Sequence, residues 1–133
     1  MKPPMPERVA IFLQLESFEP VYQAGTLALT AAAMGDEAWV VLGFAPLRAL
    51  AEERLGAPAG ATEQQEALRA AELRLPTPQQ MLAEARGLGV RVVACDTLAR
   101  LAGVSPSALP LLDETLGLPS IWRFARTART VTF

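Results

Sequence analysis

Cys95 is the only cysteine in the chain, and it stands in the stretch VRVVACDTLAR. A thiol reacts as its thiolate, so its chemistry depends on what surrounds it. A helix start or a nearby cation favours the thiolate; a carboxylate disfavours it. Asp96 follows Cys95 directly. Arg100 lies four residues after Asp96, one helical turn on, where it can neutralise that charge. The chain has no histidine. That removes the commonest general base, the commonest metal ligand and any Ser-His or Cys-His pair. A second set of residues is basic: Arg123 and Arg126 share a helical face, with Arg129 beyond them. They suit a rim that receives an anionic group, a partner or RNA, or they are a solubilising face beside Ile121 and Phe124.

Other chemistry finds little support. A dinucleotide fingerprint needs a strand, then G-x-G-x-x-G, then a helix. The Gly-Leu-Gly at 87–89 lies in the opposite order, and LGAPAGA follows no strand and carries no lysine. The acid pairs Asp36-Glu37, Glu52-Glu53 and Asp113-Glu114 read as solvated helix ends and faces, so neither a metal site nor a cofactor is expected. There is no G-x-S-x-G elbow, and no carboxylate pair stands at a spacing suited to acid–base work.

The elements that position these residues follow from pattern. The segment 8–14, RVAIFLQ, is a β-branched and aromatic run and reads as a buried strand. A helix follows, with Ser17 or Glu19 near its cap and Pro20 in its first turn, and Gly35 ends it. Ala24, Ala28, Ala31 and Met34 fall on one face, where small side chains allow close packing. The second strand is 37–44. Pro46 opens a helix that ends at Gly56. Thr62 with Gln65 resembles a capping box for a polar helix with a thin packing face. Thr77 and Pro78 cap and open a cleaner helix, closed by Gly87 or Gly89. The third strand, 90–95, ends at Cys95. A short helix follows, with Asp96 in its cap region. Ser105-Pro106 starts another, bent or broken at Pro110. A further short helix covers PSIWRFARTA, and RTVTF closes the chain as a strand.

Alternating helices and continuously apolar strands imply a parallel sheet covered on both faces. The expected fold class is α/β, a three-layer α/β/α arrangement with a mostly parallel central sheet of four to five strands. The length of 133 residues suits one domain over 1–133, with residues 1–7 a flexible N-terminal segment. In an open parallel sheet, ligands meet the carboxyl ends of strands, which is where Cys95 falls. The opposing expectation is a buried, inert thiol, since free cysteine is among the most buried residue types. Trp39 and Trp122 read as packing residues first and oligomer contacts second.

Composition narrows the setting. Hydrophobic residues make up 51% and the mean hydropathy is +0.25, but no run approaches the ~18 apolar residues of a membrane-spanning helix. The opening MKPPMPERVAIFLQLES lacks the zones of an export signal, so a cytoplasmic protein is expected. A single cysteine excludes an internal disulfide framework. The net charge of −2 gives no reason to expect direct nucleic-acid binding. Residues 91–133 are mildly basic, with five arginines against three acids.

Over residues 8–133 the layout resembles the DsrE/DsrF-like superfamily, which includes sulfur-relay subunits. The similar parts are the opening strand VAIFLQ, the Ala-rich helix ending AAAMGDEAWVVL, the segment LGVRVVACDTLARLAGV and the terminal IWRFARTARTVTF. No single motif is diagnostic, and the likeness is weakest at 52–75. In sulfur-relay members a cysteine after this strand carries sulfur as a persulfide. The resemblance implies that role for Cys95, followed by a helix that contains Arg100; Asp96, Arg100, Arg123 and Arg126 are the accompanying binding candidates. It also implies a sulfurtransferase-like carrier, a homo-oligomer, and sulfur donor and acceptor proteins as partners. Asp96, directly after the thiol, departs from the pattern. The competing expectation is a non-catalytic, oligomeric α/β binding or scaffold protein in which Cys95 is structural.

Overall fold

Three apolar runs form the centre of the sheet because each is too greasy on both sides to face water. In a computed structural model that describes residues 6–133, these are β1 (Arg8–Leu13), β2 (Glu37–Leu42) and β3 (Arg91–Cys95). Two shorter strands, β4 (Glu114–Leu116) and β5 (Arg129–Thr132), sit at the edges. The order is β4-β3-β2-β1-β5, and every pairing is parallel. The helices are α1 (Phe18–Ala33), α2 (Phe44–Ala51), α3 (Gly60–Glu72), α4 (Pro78–Gly87), α5 (Asp96–Leu101) and α6 (Leu118–Ala125). The α/β class and the parallel sheet agree with the expectation.

Strand residues alternate between two faces. Val9, Ile11, Leu13, Val40, Leu42, Val92 and Ala94 join one buried cluster with α1, α2, α4 and α5. Ala10, Trp39, Val41, Val93 and Cys95 join the other, and among the described residues the only helix that buries residues there is α6, through Ile121, Phe124 and Ala125. Two layers of very different thickness therefore sandwich the sheet. Among the described residues no helix is long and apolar enough to cross a membrane.

Local signals explain most boundaries. Thr77 accepts from the Gln80 amide while the Gln80 side chain accepts from the Thr77 amide, and Pro78 follows: a complete capping box. Gly35, past the end of α1, has φ +89°. On α1, Ala24, Ala28 and Ala31 are buried as expected, but Met34 is 77% exposed, because the helix has ended before it. Thr62 does not cap α3. Ala59 is the cap residue, and its amide donates to the Glu63 carboxylate. Of the N-terminal segment expected to be flexible, residues 1–5 lie outside the described residues. The Glu7 amide donates to Asp36 Oδ1 (3.0 Å), and its carbonyl accepts from the Glu37 amide (2.9 Å).

The largest departure is at 105–117. A helix was expected there; the chain forms one 3-10 turn, Pro106–Ala108, and then β4. Asp113 is the physical reason. Its amide donates to the Val92 carbonyl (2.8 Å), and its Oδ2 accepts from the Val92 amide (2.7 Å). Arg86 of α4 grips the same carboxylate through Nη2 (2.7 Å) and Nε (3.2 Å) and also donates to the Pro110 carbonyl. These bonds pull the segment into register beside β3.

Burial pushes the Asp113 carboxyl up, but bonds from Arg86 and Val92 outweigh it and hold the group below its ordinary 3.8. Its stabilising contribution is complete above that value and is lost as pH falls through the lowered one. Asp113→Asn is expected to cost about 2 kcal/mol in urea unfolding at pH 7. The gap between the two proteins should close below pH 3.8.

Candidate functional site

Cys95 is the last residue of β3 and the cap residue of α5, and it pairs with Leu116 of β4. Ala94 faces the thick helical layer, so alternation turns the Cys95 side chain to the thin one. There it is 8% exposed and packs in the cluster of Trp39, Val41, Val93, Ile121 and Phe124, with Leu98 and Leu116 half-buried against it. The thiol makes no capping hydrogen bond to α5. The strand-end position read from the sequence is therefore present, and so is the burial that the opposing expectation named.

The other candidates do not converge on the thiol. Asp96 is half-buried in the first turn of α5 and Arg100 is exposed in its last; no ion pair among the described residues joins them. Arg123 lines an open cleft of about 350 Å³ with Arg8, Glu37, Trp39, Arg91 and Ser120. Arg126 lines a different cleft, of about 640 Å³, with Glu7, Arg8 and Arg129. Arg129 pairs with Glu7, which holds the Glu7 carboxyl below its ordinary range. Among the described residues no three His, Cys, Asp or Glu side chains cluster as metal ligands would.

Sequence reading missed Arg8 and Arg91, the residues that open β1 and β3. Trp39 stacks on Phe124 with centroids 4.0 Å apart and planes 3° from parallel. The Arg91 guanidinium lies 4.9 Å from the Trp39 ring, and that of Arg8 lies 5.5 Å from the Phe124 ring. Arg8 is tied to Glu37, and Arg91 to Glu114. Their long side chains thus cover aromatic surface while their charges stay wet. The Trp39 indole N–H is buried without an acceptor among the described residues. Trp39 is a packing residue, as expected, whereas Trp122 is 64% exposed.

No family model matches the chain, and no curated protein matches it. Among solved structures, the crystal structure of the YchN protein from Escherichia coli is similar, with a TM-score of 0.65 at 20% identity. The match covers 96% of this chain and 99% of that one. The chain has a DsrE/YchN-like fold, as its layout implied.

Ile121 is the α6 side chain most fully buried over this face, at 3% exposure. Ile121→Ala should destabilise the protein by about 2–4 kcal/mol. It should also speed native-state alkylation of Cys95 by iodoacetamide, because Ile121 is buried in the same cluster as the thiol. Mass spectrometry of the alkylated protein against time measures the second effect.

Proposed function

We propose that the protein is a cytoplasmic, homo-oligomeric sulfur carrier that holds a persulfide on Cys95. The observation that supports this reading is the thiol's position, at the carboxyl end of a central parallel strand and the first turn of a helix, in a DsrE/YchN-like fold. The step needs no histidine. The Cys95 thiolate attacks the sulfane sulfur of a donor persulfide; the new S–S bond forms at Cys95 as the donor's S–S bond breaks, and the donor leaves as a thiolate. Transfer onward repeats the exchange with an acceptor thiol, and Cys95 is released as the thiolate. No redox co-reactant is consumed.

The same thin layer supports a homo-oligomer. On α6, Leu118 and Trp122 stand one turn apart and are 63% and 64% exposed. An apolar pair on the lone helix of a thinly covered face suits contact with a second copy of the chain.

A second reading keeps the oligomer and removes the chemistry, with Cys95 a packing residue of an α/β scaffold. Its support is the thiol's 8% exposure and its apolar neighbours. One experiment separates the two. The native protein and Cys95→Ser are incubated with a low-molecular-weight persulfide, and intact mass is recorded. The carrier gains one sulfur atom that dithiothreitol removes, and Cys95→Ser gains none. No gain on the native protein, when urea-unfolded protein is loaded under the same conditions, sinks the carrier and leaves the scaffold.

A further inference from the structure

Helix α3 is attached to the molecule differently from every other long helix. Helices of this length are marginal in water and normally owe their stability to an apolar face packed on the core. Helix α1 buries Phe18, Val21, Ala24, Gly25, Ala28 and Ala31, and α4 buries Met81, Leu82 and Ala85. The one residue that α3 buries is Glu63, at 7% exposure. Its Leu68 is 66% exposed.

Glu63 is fully engaged. Oε2 accepts from the Glu19 amide (2.8 Å) and the Ser17 hydroxyl (3.0 Å) at the start of α1, and Oε1 accepts from the Ala59 amide (2.7 Å). A carboxylate on the open amides of a helix start is well placed. The chain at both ends of α3 is in the left-handed region, at Gly56 (φ +81°), Gly60 (φ +76°) and Arg74 (φ 57°). Beneath the helix lies an apolar cavity of about 280 Å³, lined by Phe18, Pro58, Ala67, Ala71, Leu75 and Pro78. It borders the turn where β1 passes into α1, on the carboxyl side of the sheet.

We propose that α3 is a hinged cover over this cavity, held shut by Glu63 as its latch and able to open while the rest of the fold stays closed. The Glu19 carboxylate on α1 feels the charge of the latch, and Glu66 on α3 lies against Glu19 in turn. Arg69 and Tyr22 lie in the same outer cleft as Glu66. A bond with Glu66, then the charge of Glu66, pushes the Glu19 carboxyl above its ordinary 4.5. That pair favours closure when it shares a proton, and the benefit is lost as pH rises through the raised value. Glu63 has the opposite sign. Burial pushes it up, but its hydrogen bonds prevail and hold it below 4.5, so its contribution is present above that value and lost as pH falls through the lowered one. The latch is therefore tightest in mildly acidic solution, between the two titrations, and it weakens on either side.

Amide hydrogen exchange of the full chain tests this, read as protection factors for residues 61–72 against those of α4. Glu63→Gln should cut α3 protection at least about tenfold at pH 7 while α4 keeps its own. Glu66→Gln should raise α3 protection by up to about fivefold, because it removes a like charge opposite Glu19. A gain of this kind cannot come from misfolding. In the native protein, α3 protection should pass through a maximum between neutral and strongly acidic pH. Unchanged α3 protection in Glu63→Gln, or equal loss in α3 and α4, would overturn the cover; so would a loss in Glu66→Gln.

Discussion

A parallel sheet of apolar strands has two faces to hide and only the crossover helices with which to hide them. This chain divides that labour unequally. Helices α1, α2, α4 and α5 bury residues in one cluster, whereas α6 buries residues in the other, with Leu98 of α5 half-buried against it. An eight-residue helix cannot span five strands, so side chains of the sheet finish the task. Trp39 is stacked against Phe124, and the arginines that open β1 and β3 lie over the two rings. The clefts on that side, the exposed Trp122 and the shallow burial of Cys95 all follow from the same shortage of cover.

What the sequence made legible tracks how local the cause is. VAIFL, WVVL and VVAC read as strands because their apolar character is continuous, and the sheet realises all three. Thr77 and Pro78 announce a helix start within two residues, and the structure adds Gln80 to complete the cap. Cys95 at the end of a strand was equally readable. The strand Glu114–Leu116 was not: three half-buried residues carry no period, and Asp113 fixes their place by gripping Val92, 21 positions away. Arg8 and Arg91 look like ordinary charges at strand starts until register sets Arg91 beside Trp39. Glu63 sits in a stretch that read as polar with little to pack. That reading was right about the surface and blind to the carboxylate, whose partners Ser17 and Glu19 lie 46 and 44 positions back.

The thin layer also decides how well the Cys95 side chain suits its two readings, packing residue or carrier. A neutral thiol rests comfortably among Val41, Val93 and Ile121, since cysteine behaves there as a small hydrophobe. A persulfide, carried as an anion, does not: a charge among apolar neighbours is costly without a partner, and Arg123, the nearest of the candidate arginines to that cluster, lines the cleft beside Trp39, Leu116 and Phe124, which does not include the thiol. On the carrier reading, loading itself therefore drives the sulfur outward. The helix over that cluster buries Ile121, Phe124 and Ala125, and re-exposing each of the two large side chains costs about 1.5–3 kcal/mol. A thiol on the opposite face would have to move the α1 and α4 layer. On the carrier reading the same cover has two tasks, to hide the empty thiol and to give way to the loaded one; on the scaffold reading it has only the first.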